Sequence, residues 1–187
     1  MTVSAVHLPL DLDLAAGPDL ASAPVGEFAD AMSSLASGVV LVTCRLGGRP
    51  WGVTVTAFAS VSADPPTVLV SLGSASTSAR AIATSRRFGV SILSAEQIAL
   101  ARYSSAPGGA KFLEAFVDPD RGNGASPLVR GALAHLDCEV VDVVEVADHT
   151  IFFGRVRTAD ASPGGEPLLY HRRGYPHETR SLRCLSS

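Results

Sequence analysis

Val39-Val40-Leu41-Val42-Thr43-Cys44, then Gly47-Gly48, then Trp51 to Val61: the reading of this stretch decides the fold. The first run is apolar and β-branched, the glycine pair supplies a turn, and the second run has strand composition, so together they read as a β-hairpin. Asp64-Pro65-Pro66 turns the chain into Thr67-Val68-Leu69-Val70-Ser71-Leu72, a strand too continuously apolar to have a face in water. Phe88 to Leu93 reads as a fourth strand, and Leu133 to Val146 and Thr150 to Thr158 as two more around Ala147-Asp148-His149. Leu136, Cys138 and Val140 alternate with Asp137 and Glu139, but the phase slips near Val141-Asp142, as a β-bulge requires. At least six strands with few, short helices predict a mainly β fold, a closed antiparallel barrel rather than a doubly wound parallel sheet.

The helical signals are brief. Phe28, Met32, Leu35 and Ala36 recur at helical spacing before Gly38, residues 79 to 84 give a turn or two, and Ser94-Ala95-Glu96-Gln97 resembles a capped helix start. The stretch 104 to 130 is rich in Gly, Pro, Ser and Asp except at Phe112-Leu113-Glu114-Ala115-Phe116, and predicts a long loop holding one short helix.

The 187 residues carry a formal charge of −3, with 47% hydrophobic and 18% charged residues, which suits one domain with tails and excludes disorder of the whole chain. No basic field is available for a phosphate backbone, so no nucleic-acid partner is expected. Lys111 is the only lysine among 15 basic residues. Cys44, Cys138 and Cys184 are far apart, and with His7, His135, His171 and His177 they form no metal-ligand spacing, so neither a disulfide framework nor a metal site is expected. Residues 1 to 25 contain Asp11, Asp13 and Asp19 but no Lys or Arg, unlike a signal peptide, and no run reaches the ~18 apolar residues of a membrane span. A cytoplasmic protein with no membrane partner is the expectation.

Two segments could bind an anion or a heterocycle. Ser71-Leu72-Gly73-Ser74-Ala75-Ser76-Thr77-Ser78 places hydroxyls and a glycine between a strand and a helix, where N–H groups and the helix dipole favour phosphate; an ordinary N-cap explains the same residues. Gly52-Val53-Thr54-Val55-Thr56-Ala57 alternates small hydroxyl residues with Val, so its backbone could meet the edge of a flat ring, or it is simply a half-buried strand. His149, beside Asp148 at a hairpin end, is either a turn residue or a ligand contact. There is no G-x-G-x-x-G, Walker or G-x-S-x-G pattern.

Taken in order, Gly52-Val53-Thr54-Val55-Thr56-Ala57-Phe58, Ser60-Val61-Ser62, Pro65-Pro66, Ser76-x-Ser78 with Ile82, and Phe88-Gly89-Val90-Ser91-Ile92-Leu93 form a specific series. It continues through Gln97, Leu100-Ala101, Lys111-Phe112, Asp148-His149 and Pro167-Leu168-Leu169-Tyr170 to Gly174 and Tyr175. From about Phe28 to Tyr175 the chain resembles the flavin reductase family with the FMN-binding split-barrel fold, the small reductase components of two-component flavin-dependent monooxygenases. Ser78 stands where that family usually has Thr, Ser91 where Asn is common, and Ala147 where Gly often precedes Asp-His; the Ser91 exchange is expected to alter flavin affinity.

The resemblance implies a closed antiparallel split β-barrel of Greek-key type with a few short flanking helices, spanning residues 26–178 between an N-terminal arm, 1–25, and a tail, 179–187. It implies that Thr54, Val55, Thr56 and Ala57 lie along the isoalloxazine of FMN or FAD, and that Ser76 and Ser78 reach the phosphate, with Ser71, Thr77 and Tyr175 as further cofactor contacts. Lys111 is then the cation that closes on phosphate, and His149 the catalytic residue near the flavin face where NADH or NADPH must stack. The implied reaction is hydride transfer to flavin N5, after which reduced flavin diffuses to a partner monooxygenase, with the reductase a homodimer. Two other readings are a tightly held FMN that reduces another acceptor and a flavin-binding barrel without turnover.

Overall fold

The computed structural model describes residues 22–118 and 126–176. Most of the expected arm 1–25 and all of the expected tail 179–187 lie outside them, as do His7, His177 and Cys184. Contacts divide the chain into residues 1–32 and 33–187. Helix α1, Val25–Ser33, carries Glu27 in its first turn, where the carboxylate favours the helix dipole.

Residues 33–187 hold a seven-stranded antiparallel sheet in the order β3-β2-β6-β7-β8-β5-β4. The strands are β2 Val40–Leu46, β3 Arg49–Val55, β4 Phe58–Ala63, β5 Pro66–Gly73, β6 Arg87–Ile92, β7 Ala134–Val146 and β8 His149–Ala161, while the short β1 Ser37–Gly38 pairs with β9 Leu169–Tyr170. Helices α2, Thr77–Ser85, and α3, Ile98–Ser105, flank the sheet. The expected hairpin is β2–β3, with Gly47 and Gly48 at φ 57° and 80°, and the expected phase slip is a register shift between Val140 and Asp142.

Three expectations are corrected. Trp51 to Val61 is not one strand: Phe58 N–H donates to Thr56 C=O (3.0 Å), the chain turns, and β3 and β4 become the opposite ends of the strand order. No pairing joins β3 to β4 among the described residues, so the closed ring of strands expected from sequence is not found; what is present is a large antiparallel sheet with short flanking helices. The expected helix at Phe112–Phe116 is a single turn, in which Phe116 and Val117 N–H both donate to Leu113 C=O, because the segment lies against β3 instead.

The start of β2 shows why the run from Val39 to Val42 is continuously apolar. Val40, Val42 and Cys44 enter one buried cluster with Val70, Phe88 and Phe152, whereas Val39 and Leu41 enter a second with Leu93, Leu113 and Leu168. With both faces covered there is no polar alternation to read, and each large apolar side chain so buried contributes roughly 1.5–3 kcal/mol. Leu113 anchors the 111–113 segment over Gly52, where an added Cβ would sit 2.5 Å from Leu113 Cδ1.

Candidate functional site

The segment 111–113 runs along the outer edge of β3: Gly52 N–H donates to Lys111 C=O (3.1 Å) and Leu113 N–H to Pro50 C=O (3.0 Å). Gly52 therefore faces away from β2, and since the β2–β3 register is unbroken through Val55, strand parity turns the Thr54 backbone outward as well. Past Gly52 the edge opens onto a cavity of about 380 Å³. That volume lies within the range of small-molecule sites.

Of the residues singled out from sequence, Thr54, Val55, Thr56 and Ala57 line one side of this cavity, and Ser71, Ser76, His149 and Tyr175 complete it. Thr77, Ser78 and Lys111 line an adjoining recess of about 410 Å³, which shares Val53 and Ser76 with the first. The sequence thus named residues that the fold assembles into two adjoining spaces. It missed Val39, Leu72, Ser105 and Tyr170 in the cavity wall and Trp51 in the recess. Tyr170 sat inside a quoted motif, whereas Val39 and Leu72 belong to continuous apolar runs in which no phase distinguishes a wall residue from core.

Individual side chains carry structural duties too. Thr54 Oγ1 donates to Ala101 C=O on α3 (2.8 Å), so it is the backbone of Thr54, not its hydroxyl, that is left for a ligand. Ser76 caps α2, its Oγ accepting from Ala79 N–H (3.1 Å). Ser78 is buried and its Oγ accepts from Trp51 Nε1–H (3.1 Å). A hydroxyl that accepts one bond still has its hydrogen to donate, which is the polarity an anion requires. The N-cap explanation of Ser76 is therefore correct and leaves room for the anion one.

Lys111 is half-buried, and partial burial holds its pKa below the usual 10.5. Its ammonium has no hydrogen-bond or ion-pair partner among the described residues. At the other end of the cavity, His149 closes the β7–β8 hairpin with Nδ1 2.7 Å from Asp148 Oδ1. That hydrogen bond and the His149 charge hold the Asp148 carboxyl below its usual range. The pairing presents Nδ1 as donor and turns Nε2 away from Asp148. The hairpin is tied to β5 by Ser74 N–H to Asp148 C=O (2.9 Å) and by the Ser74–Thr150 hydroxyl pair (2.8 Å). Tyr170 and Tyr175 meet at 5.4 Å with ring planes 67° apart.

Ser91 corrects another expectation. It is fully buried on β6, its Oγ accepts from Val129 N–H (3.1 Å) and lies 3.1 Å from His135 Nδ1, and it lines neither space. Among the described residues no group of three or more His, Cys, Asp or Glu could hold a metal ion. Burial pushes the Cys44 and Cys138 thiols up to about 12, so neither is a thiolate at neutral pH. No helix of the described residues is long and apolar enough to cross a membrane.

The flavin reductase like domain family matches residues 32–179. The chain is 38% identical over 151 residues to the reductase component of a 4-nitrophenol 4-monooxygenase/4-nitrocatechol 2-monooxygenase of Rhodococcus opacus, covering 81% of this chain and 80% of that protein. It is 34% identical over 152 residues to the reductase component of a flavin-dependent trigonelline monooxygenase of Acinetobacter baylyi; the match covers 81% of this chain but only 48% of that longer protein. Among solved structures it is similar to the NADH:FAD oxidoreductase of Streptomyces globisporus in complex with NAD and FAD fragments, with TM-score 0.72, 31% identity, and coverage of 80% of this chain and 90% of that one.

Proposed function

The chain belongs to the flavin reductase like domain family, and from that membership we propose that it reduces FMN or FAD with NADH or NADPH and releases the reduced flavin to a separate monooxygenase. It is an NAD(P)H-dependent flavin reductase, an oxidoreductase. The observation that carries the finer reading is the union of an apolar cavity, edged by outward-facing backbone, with a recess holding a helix N-terminus and an ammonium that has no partner among the described residues. A flavin has those two parts, a flat heterocycle and a phosphate on a flexible ribityl arm.

The residues fit such a ligand. Val53, Val55 and Ala57 offer little bulk beside a flat ring, and the Thr54 backbone offers a donor and an acceptor to its edge. Ser76 and Ser78 would each give a hydroxyl hydrogen to phosphate, and Lys111 would supply the point charge. When bound, the flavin accepts a hydride from reduced nicotinamide and carries two electrons onward. His149, its ring set by Asp148, would orient the nicotinamide and need hold no proton for transfer. Val39, Leu72, Tyr170 and Tyr175 would keep water from the ring.

The family's split barrel and its dimer belong to the same proposal. Six inter-strand steps of roughly 4.8 Å would set the ends of a flat seven-stranded sheet about 29 Å apart, yet Val55 and Phe58 are three residues apart and reach at most about 11 Å. That supports a sheet curled back on itself at Thr56-Ala57. A cytoplasmic homodimer completes the reading.

NADH oxidation in air, where oxygen reoxidises any reduced flavin, assayed with and without added FMN, FAD and riboflavin, tests it. Turnover only with free flavin is expected. Turnover without added flavin would favour a resident cofactor and another acceptor, and none at all would leave a binding barrel.

A further inference from the structure

The only tryptophan of the chain, Trp51, stands on β3 beside the N-terminus of α2. Its ring is buried and packs edge-on to Phe112, centroids 5.1 Å apart. Arg49 lies over the Phe112 ring at 3.6 Å and reaches Glu114 at 2.6 Å, so the segment that carries Lys111 also clamps the indole. Indole N–H is a donor only; in the 3.1 Å contact with Ser78 the serine oxygen must therefore accept. The Ser78 hydroxyl hydrogen then has to find another acceptor. No hydrogen bond donated by it exists among the described residues, although Ser78 is only 3% exposed and lines the recess with Lys111. A buried donor left in this state is unfavourable unless a ligand takes it.

We propose that Trp51 is a positioning residue which, by donating to Ser78 Oγ, commits the Ser78 hydroxyl hydrogen to the recess and so selects phosphorylated flavin over riboflavin. This rests on the reading of the recess as the phosphate end. Without the indole, nothing engages the Ser78 lone pair, and the hydroxyl is free to rotate and offer that lone pair to the anion instead of its hydrogen. Bulk alone does not achieve the selection: phenylalanine would fill the space and still leave the hydroxyl unset.

The test is a double-mutant cycle of Trp51→Phe and Ser78→Ala, with FMN and riboflavin dissociation constants read from flavin fluorescence. Trp51→Phe should weaken FMN about three- to tenfold and leave riboflavin within about twofold, and in the Ser78→Ala background it should have no further effect on FMN. Equal loss for both flavins, or the same loss with and without the Ser78 hydroxyl, would reduce Trp51 to packing and overturn the proposal. An FMN preference untouched by Ser78→Ala would instead move the phosphate elsewhere and end the underlying reading. Should Trp51→Phe not fold, the single indole N–H resonance of the wild-type protein gives the answer. It should shift with FMN, not with riboflavin, and cease to respond in Ser78→Ala; a resonance indifferent to FMN would overturn the assignment.

Discussion

Replacing Lys111 by Met isolates the charge at the proposed phosphate end, because methionine keeps a long unbranched stem and removes only the ammonium. In the flavin-free protein that ammonium has no ion-pair partner among the described residues and is half-buried, so its loss should change stability by no more than about 0.5 kcal/mol. With FMN bound it would make a charge-assisted hydrogen bond, worth roughly 1.5–3 kcal/mol, or about 10- to 150-fold in Kd. Riboflavin lacks the phosphate and should bind both proteins alike. The pH dependence follows from the same group. Partial burial lowers the Lys111 pKa from 10.5, so the cation is lost as pH rises through the alkaline range below that value. The wild-type preference for FMN over riboflavin should fall across that window, while the preference of Lys111→Met stays flat. Binding the phosphate favours the charged amine, so FMN should bind with proton uptake there. Calorimetric titration of both flavins from neutral to alkaline pH, with thermal unfolding alongside, measures each part. Equal weakening of FMN and riboflavin, or an FMN preference in the wild type that survives deprotonation, would refute the assignment of Lys111 to phosphate.

His149→Ala should slow reduction of bound flavin or raise KM for the pyridine nucleotide by about ten- to a hundredfold, roughly 1.4–2.8 kcal/mol, with flavin affinity little changed; stopped-flow reduction at saturating NADH and NADPH decides it. Ala147 sits at φ 51°, in the left-handed region that costs a non-glycine residue roughly 1–2 kcal/mol, so Ala147→Gly should stabilise the protein by about 0.5–1 kcal/mol after the entropy of an added glycine; an unchanged or lowered Tm would contradict this. Light scattering of the purified protein should give a homodimer, and a strict monomer with full turnover would exclude a site completed across subunits.

What the sequence made legible was whatever leaves a local signature. The Gly47-Gly48 turn, the slipped phase at Val141-Asp142 and the Ser94–Gln97 cap each involve residues a few positions apart, and each recurs in the structure: Ser94 N–H donates to Gln97 Oε1 at 3.0 Å. The break at Thr56-Ala57 left none, because strand composition continues across it without Gly, Pro or Asn. Lys111 and Ser78 lie far apart in the chain, and what brings them to one recess is the packing of Leu113 onto Gly52, a long-range contact with no periodicity. Ser91 misled for the same reason. Its place in the family's pattern suggested a ligand contact, but its hydroxyl is held between Val129 N–H and His135 Nδ1, partners 38 and 44 residues away. Trp51 passed unnoticed because one aromatic in a strand reads as core until its N–H is traced.

The hydroxyls around the two spaces share a property that bears on how tightly the proposed site would hold a flavin. Ser76 accepts from Ala79, Ser78 accepts from Trp51 and Thr54 donates to Ala101, so each is fixed by the fold before any ligand arrives. Ordering the site on binding therefore costs little conformational entropy, which favours rapid entry. What would remain to be given to a phosphate is also small: the hydroxyl hydrogens of Ser76, Thr77 and Ser78, the first turn of a nine-residue helix and one ammonium. A resident flavin calls for the opposite arrangement, with many charge-assisted contacts and a segment that closes over the ligand. A site that is set in advance and sparsely charged binds and releases without rearrangement. That is what the proposed function requires, in which the reduced flavin is itself the product and leaves for another protein.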